Sequence, residues 1–372
     1  MFWNTYKGKS VLLTGHTGFK GSWLAEWLLF LEARVHGISL DPQSDQPLFD
    51  MLGLSNRLES DSRFDVRDLD KLTDEIKEKQ PEFIFHLAAQ ALVRLSYSAP
   101  IETFSTNVIG TANVLEAVRL SGHPCIVVII TTDKCYENKE WLNGYREEDP
   151  MGGNDPYSAS KGCAELVVNA YRHSYFNKPG SGVKIATVRA GNVLGGGDWA
   201  VDRIVPDSIR AILNNNVVQV RNKMATRPWQ HVLEPLSGYL WLGACLNQPR
   251  IMGREDSELF TSGFNFGPTI ASNRTVCELV IELLKHFQNS AWEDMSVSND
   301  LHEASKLNLA IDKAFHLLGW LPVWNFERTV AETANWYKAV PESRNANEFS
   351  QKQITDYFKD AVQLGLPWAT ID

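Results

Sequence analysis

Ser10-Val11-Leu12-Leu13-Thr14-Gly15-His16-Thr17-Gly18-Phe19-Lys20-Gly21 joins an apolar run to a turn with glycines at 15, 18 and 21. Directly after it, Leu24, Trp27, Leu28 and Leu31 recur at helical spacing within Trp23 to Leu31. A strand therefore runs through a glycine turn into a helix. The first glycine permits the tight turn, the second lets backbone approach a phosphate, and the third lets helix and strand pack closely. The free N–H groups of the helix start then face the anion. The spacing is G-x-x-G-x-x-G and not G-x-G-x-x-G, but its place between strand and helix makes it a dinucleotide turn. Thr14, Gly15, Thr17, Gly18, Phe19, Lys20 and Gly21 are its expected cofactor-binding residues.

Outward from the turn, Val35 to Leu40 reads as a second strand, closed by Asp41-Pro42. Asp41 stands where an acid accepts hydrogen bonds from an adenosine ribose and repels a 2′-phosphate, which favours NAD over NADP. A solvated turn aspartate is the alternative. Asp65 and Val66, after a third strand, meet the adenine edge or, for Asp65, cap a helix. Phe83 to Ala88, Ile126 to Thr131 and Val183 to Val188 are further short apolar runs, and Ala99 to Arg119 reads as one long helix. Apolar strands alternating with helices predict an α/β fold, a Rossmann-type doubly wound parallel sheet. Beyond Gly191 short strands (Val217 to Val220) mix with helices (Pro206 to Leu213, Thr275 to Phe287). The expected division is a cofactor domain over 1–190 and a smaller mixed α/β substrate domain over 191–372. Residues 231–260 return to the first, beginning with a helix over His231 to Leu246.

The chain carries 36 Lys and Arg against 45 Asp and Glu, a net charge of −9, so no basic footprint for a nucleic acid is present. Its five cysteines form no C-x-x-C pair and read as reduced thiols, the usage of a cytoplasmic protein. The start of the chain has no apolar signal core, and the longest purely apolar stretch, Ile126 to Ile130, falls far short of a membrane span. The His, Cys and acidic residues form no compact ligand set, so no metal is expected.

Tyr157-Ser158-Ala159-Ser160-Lys161 puts a phenol and an ammonium at i and i+4, on one helix face, with Pro156 suited to the helix start. A cation beside a phenol is expected to lower its pKa, so that the phenolate can take an alcohol proton while hydride leaves for a nicotinamide.

Several stretches stand in the order of the extended short-chain dehydrogenase/reductase family, which the chain resembles over nearly its whole length. They are the glycine turn, His86-Leu87-Ala88-Ala89-Gln90, Thr106-Asn107, Thr131-Thr132-Asp133, Tyr157 to Lys161, Arg189-Ala190-Gly191-Asn192-Val193 and Leu318 to Pro322. Thr131 to Asn138 and Gly195-Gly196-Gly197-Asp198-Trp199 narrow the resemblance to the nucleotide-sugar 4,6-dehydratases, in the branch acting on CDP-glucose. The resemblance implies one bound NAD and three steps: oxidation at C4, loss of water across C5 and C6, and return of hydride to C6. It implies that Leu87, Ala88, Ala89, Gln90, Asn107, Tyr157 and Lys161 meet the cofactor. Thr132 would hydrogen-bond near O4 and Asp133 would protonate the departing 6-hydroxyl. The dTDP-glucose enzymes carry a Glu where this chain has Lys134. Lys134 is then a neutral base at C5 or a charged group that stabilises the enolate while another moves the proton, with a merely structural lysine as the remaining reading.

By the same resemblance Asn192 contacts a substrate phosphate. Arg203, Arg221 and Arg227 are candidates for the diphosphate, with a solvated role open for each. Trp199 and Trp229 are candidates to pack on the nucleotide, and His16 and His231 to lie near cofactor and substrate. Two long helices, Ala99 to Arg119 and Ser158 to Phe176, match those that pair across a two-fold axis in the family, implying a homodimer or a dimer of dimers. A nucleotide-sugar 4-epimerase or a dehydratase for another nucleotide sugar is the alternative enzyme, but epimerase chemistry needs no acid at C6. An NAD-binding regulator would not need Tyr157 and Lys161.

Overall fold

The computed structural model describes residues 1–178, 180–288, 290–296, 306–343 and 345–370. Six strands form in chain order: β1 (Ser10–Thr14), β2 (Arg34–Ser39), β3 (Ser60–Arg63), β4 (Phe83–His86), β5 (Ile126–Ile130) and β6 (Lys184–Ala190). They share one parallel sheet with a seventh strand, Gly263–Phe266, at its edge, in the order Gly263–Phe266, β6, β5, β4, β1, β2, β3. The chain winds outward from β1 to β3, then returns to place β4 on the other side of β1. A crevice opens at that reversal, beyond the strand ends, and such a switch point is where ligands bind in doubly wound sheets.

Alternate residues of each central strand feed opposite cores, as the two-residue period of a strand requires. Val11, Leu13, Phe83, Phe85, Val128 and Ile130 pack on one face, with α1 (Phe19–Phe30) and the helix Leu233–Asn247. Leu12, Ile84, Val127 and Ile129 pack on the other, against Leu72, Ile76, Val114, Val118 and Val168 from three covering helices. Glu26, fully buried on α1, accepts from Arg57 through both oxygens and from Asn347 and Gln351, so it fastens α1 to the helix Ala346–Gln363.

The edge strand Gly263–Phe266 was not anticipated from sequence: four residues flanked by glycine and turn formers carry too little pattern. The long helix expected over Ala99 to Arg119 runs from Pro100 to Ser121 but opens into a π turn at Ser105–Ile109. The second long helix, Pro156–Tyr171, likewise ends in a π turn, Arg172–Phe176. Beyond β6 the short strands pair locally: Val193–Leu194 with Gln230–His231, Thr226–Pro228 with Asn273–Thr275, and Val218–Val220 with Trp292–Asp294. Among the described residues no helix is long and apolar enough to cross a membrane.

Candidate active site

The glycine turn has the geometry a pyrophosphate requires. Gly15 adopts φ +77°, and a Cβ there would stand 2.7 Å from the Ala88 nitrogen; a Cβ on Gly21 would stand 2.1 Å from the Gly15 carbonyl oxygen. Those two glycines are demanded by the chain itself. Gly18 is different: its nearest neighbour would be 3.5 Å away, so protein packing does not require glycine there. Open space over the bare backbone that begins α1, with no side-chain cap, suits a phosphate, and NAD fits the turn on that ground.

Thr14, fully buried, bonds His86 Nδ1 at 2.7 Å and accepts from the Ala88 amide, tying β1 to β4 across the crevice. Thr17 bonds Ser39 Oγ at 2.7 Å and donates to the Leu40 carbonyl, holding the turn to the end of β2. The Phe19 ring lies under Gly195. Leu87, Ala88, Ala89 and Gln90 follow β4, half-exposed, and line the crevice. Asn107, at the π turn, accepts from the Gln90 amide at 2.8 Å and donates to the Gln90 carbonyl and to Ser160 Oγ. A single side chain thus locks the loop after β4 to the Tyr157 helix, and a π turn in a helix is often found at such a site.

Toward the adenosine end, Asp41 is exposed, two residues beyond the last residue of β2. Asp65 is bound through its carboxylate to Arg67, whose hydrogen bonds hold it below the usual carboxylate range. Asp65 caps no helix: the N-cap of Leu69–Lys79 is Asp68, which accepts from Lys71. Val66 is buried in the core, beneath Gly110. His16 is buried and bonds Asp61 at 2.8 Å; only the absence of a Cβ on Gly37 makes room for its ring. The His231 ring is packed between Trp23 and Trp324. Burial pushes it down to about 3, so it is a neutral core residue.

The catalytic group gathers at the ends of β5 and β6. Asp155 caps the Tyr157 helix by accepting from the Ser158 amide. Tyr157 is buried, and burial pushes its phenol up to about 12; the Thr132 hydroxyl and the Arg203 charge pull it down, but burial outweighs them. The expectation of a phenol lowered below its ordinary value is therefore corrected. The Lys161 ammonium donates to the Ile130 carbonyl at 3.4 Å, and burial pushes it down to about 8 against the pull of Glu165. Asp133 is 2% exposed and accepts from the Thr132 hydroxyl at 2.9 Å. Burial raises its pKa, although Lys134, Thr132, Arg227 and Lys20 all pull the other way. Burial thus favours its protonated form relative to a solvated aspartate.

Lys134 is half-buried beside Asp133. Arg203 pairs with Asp198 at 2.9 Å and its charge acts on Tyr157, so it stands at the site already partnered. Arg227 is 8% exposed, and its charge acts on Asp133. Arg221 is exposed and pairs with Asp202. Asn192 follows β6 half-buried, next to Gly191, whose missing Cβ leaves space for Asp133. Trp199 meets the Tyr337 ring edge-on, and Trp229 is buried with its indole N–H donating to the Arg274 carbonyl.

Two participants were not visible in sequence. Tyr239, fully buried on the helix Leu233–Asn247, brings its hydroxyl within 3.5 Å of the Lys20 ammonium and lies close enough to Tyr157 for their charges to interact. The side chain of Lys20 thus leaves the glycine turn and reaches the Lys161, Arg203 and Asp133 group, where burial and those cations push it down to about 8. That helix is buried along its whole length, so no periodicity marked Tyr239. The second is the buried Glu165–Arg189 pair. Glu165 accepts from Thr131 and twice from Arg189, and Arg189 donates on to Tyr136 and the Glu147 carbonyl. It braces the Thr131 to Tyr136 segment from beneath.

Comparison with known proteins agrees with this geometry. A CDP-glucose 4,6-dehydratase of Salmonella typhimurium is 47% identical over 357 residues, 95% of this chain and 97% of its own length. A CDP-paratose 2-epimerase of Salmonella typhi is 26% identical over 89% of this chain and 99% of its own. Among solved structures, the dTDP-glucose 4,6-dehydratase DesIV of Streptomyces venezuelae, with NAD and TYD bound, superposes with a TM-score of 0.74 at 24% identity. That match covers 90% of this chain and 98% of DesIV. The family model for GDP-mannose 4,6 dehydratase matches residues 12–333, and the chain belongs to that family.

Proposed function

We propose that this protein is an NAD-dependent CDP-glucose 4,6-dehydratase, converting CDP-D-glucose to CDP-4-keto-6-deoxy-D-glucose. The observation that carries the reaction class is the buried Asp133, its pKa raised by burial, one residue from Thr132, which itself meets Tyr157. An alcohol-oxidising phenol with a carboxylic acid beside it suits dehydration. An epimerase has no use for the acid. The choice of CDP-glucose is supported by the 47% identity with an enzyme of that name.

NAD, when bound, takes hydride from C4 and returns it to C6. Tyr157 accepts the proton of the 4-hydroxyl, and Thr132 orients that oxygen by hydrogen bonding. Lys161 and Lys20 supply positive charge at the cofactor end. Asp133 gives its proton to the departing 6-hydroxyl, so that water leaves instead of hydroxide. Lys134 stands next to it for the C5 proton, as base or as charged stabiliser of the enolate. Gly15 to Gly21, Leu87 to Gln90 and Asn107 hold the cofactor, with Asp41, Asp65 and Val66 toward its adenosine. Asn192, Arg203 and Arg227 serve the diphosphate; the Asp202 pair of exposed Arg221 gives it the weakest claim.

The same reading divides the chain into a cofactor unit, 1–190 with 231–260, and a substrate unit over the rest of 191–372. It makes the enzyme cytoplasmic and a source of deoxysugar for lipopolysaccharide. A homodimer is supported by Ile101, Ile109, Leu120, Leu166 and Tyr175, large apolar side chains left exposed on the two long helices.

The test is incubation with CDP-glucose and separately with dTDP-, UDP- and GDP-sugars, following the alkaline absorbance of a 4-keto-6-deoxy product. Product from CDP-glucose without net accumulation of NADH is expected. Epimerised sugar, or no keto product from any of the four, sinks the assignment.

A further inference from the structure

The Gly195 to Ala200 segment, which follows the short strand Val193–Leu194, is gripped by side chains from distant parts of the chain. The Gly196 carbonyl accepts from the Trp23 indole N–H at 2.9 Å, and the Asp198 carbonyl from the Tyr337 hydroxyl at 2.6 Å. Arg210 donates to the carbonyls of Trp199 and Ala200. Buried carbonyls outside regular structure need such partners. The approach is close: a Cβ on Gly196 would stand 1.9 Å from the Trp336 ring.

The Tyr337 contact differs from the others in where it leads. Asp198 is 5% exposed, and one of its carboxylate oxygens accepts from the Ala200 amide. The other accepts from the Arg203 guanidinium at 2.9 Å. Arg203 stands half-buried just ahead of the helix Ile204–Leu213, and its charge acts on Tyr157 and on Lys20. A line of contacts therefore runs from Tyr337, on the helix Phe326–Ser343, through Asp198 to a cation at the reacting end of the site. Tyr337 is 1% exposed and meets the Trp199 ring edge-on, which fixes its own ring. Its hydrogen bond goes to backbone, so its effect on the chemistry must pass through Asp198.

We propose that Tyr337 is a positioning residue of the active site. It fixes the Asp198 backbone so that the Asp198 carboxylate holds the Arg203 guanidinium at the reacting end. The assignment rests on the dehydratase reading given above, in which Arg203 serves the sugar nucleotide.

A double-substitution cycle on turnover of CDP-glucose by the full chain tests it. Arg203→Gln is expected to lower kcat/KM by about 10- to 100-fold, the range of a lost charge-assisted hydrogen bond. Tyr337→Phe keeps the ring and removes one hydrogen bond, for an expected loss of about 2- to 10-fold. In the double variant that second loss disappears, because Tyr337 has nothing left to position. NAD affinity is unchanged in Tyr337→Phe.

The pH profile gives a second readout. Burial holds the Tyr157 phenol high, Thr132 and Arg203 pull it down, and Asp133 and Asp155 push it up. Tyr239 also lies within reach of its charge, and Lys161 stands one turn along the same helix. Tyr337→Phe should therefore shift the acid limb of kcat/KM to higher pH, and Arg203→Gln should abolish that shift. A tyrosine that only supported the fold would produce neither the coupling nor the shift.

Losses in kcat/KM that simply add overturn the assignment, as does an unchanged kcat/KM in either single variant. A fall of NAD affinity in Tyr337→Phe overturns it too, since the damage would then be general. An unsubstituted protein that turns over no CDP-glucose overturns the dehydratase reading, and this assignment with it.

Discussion

A Cβ on Gly191 would stand 2.8 Å from Oδ2 of Asp133, so the buried acid rests against a residue with no side chain. The same Cβ would meet the Pro228 ring at 3.3 Å, which closes the other direction of escape. Gly191 is therefore part of how Asp133 is aimed, although it touches no substrate atom.

Gly191→Ala is expected to push the Asp133 carboxyl aside and slow dehydration, because a displacement of about 1 Å can cost about 100-fold in rate. Oxidation at C4 depends on Tyr157 and should survive. The substituted enzyme, given CDP-glucose, should then accumulate reduced nicotinamide that the unsubstituted enzyme turns over. Equal rates for the two proteins would show that Asp133 is positioned by something else.

Lys20 gives a second prediction, from the charge around it. Its ammonium is pushed down to about 8 by burial, Arg203 and Lys161, so it is protonated below that pH and loses its charge as pH rises through it. If the cation assists the bound cofactor, NAD affinity falls as pH passes about 8. Lys20→Met should bind NAD more weakly at neutral pH, by about 10-fold on the scale of one charge-assisted contact. Its affinity should also lose most of the alkaline decline, the remainder belonging to Lys161, which is pushed down to the same region. Fluorescence titration of NAD across the pH range decides it; parallel pH profiles for the two proteins would remove Lys20 from the cofactor site.

A third prediction concerns stability. Glu234 is fully buried, accepts from the amides of Val323 and Trp324 and from the Tyr357 hydroxyl, and is pushed by burial from 4.5 up to about 7. A carboxyl whose folded pKa is raised favours the folded state fully below its unfolded pKa, and that contribution is lost as pH rises through the folded pKa. The shift corresponds to about 3 kcal/mol. The melting temperature should therefore fall between about pH 5 and 8, and Glu234→Gln should flatten that slope. Gln cannot accept at both oxygen positions, so an overall offset is expected as well; the slope is the diagnostic quantity. A slope that persists in Glu234→Gln would assign it to other groups.

What could be read in advance follows from how local each feature is. The turn at Gly15 to Gly21 is backbone geometry, written into three neighbouring residues, and Tyr157 and Lys161 share a helix face by spacing alone. The strands β1, β4 and β5 showed as apolar runs because both their faces are covered. Distance in sequence hid the rest. Lys20 meets Tyr239 across 219 positions, and Glu165 meets Arg189 across 24. The Tyr157 phenol was misjudged for the same reason. Spacing reveals the neighbouring cation, but burial, which wins, is a property of the assembled fold.

The last prediction tests association. Leu166 is 60% exposed on the helix Pro156–Tyr171, and Ile109 is 52% exposed on the neighbouring helical segment. Apolar side chains left out on two long helices that flank the active site are what a two-fold interface would cover. Leu166→Glu places a charge at that face, and burying it unpaired costs several kcal/mol, enough to shift a dimer of ordinary affinity toward monomer. Sedimentation velocity should show a dimer or larger species for the unsubstituted protein and a monomer for Leu166→Glu. The charge lies on the outer side of the helix, away from Tyr157 and Lys161, so the monomer should keep its fold by circular dichroism. A monomeric unsubstituted protein would refute the interface, and an unchanged dimer in Leu166→Glu would move it to another face.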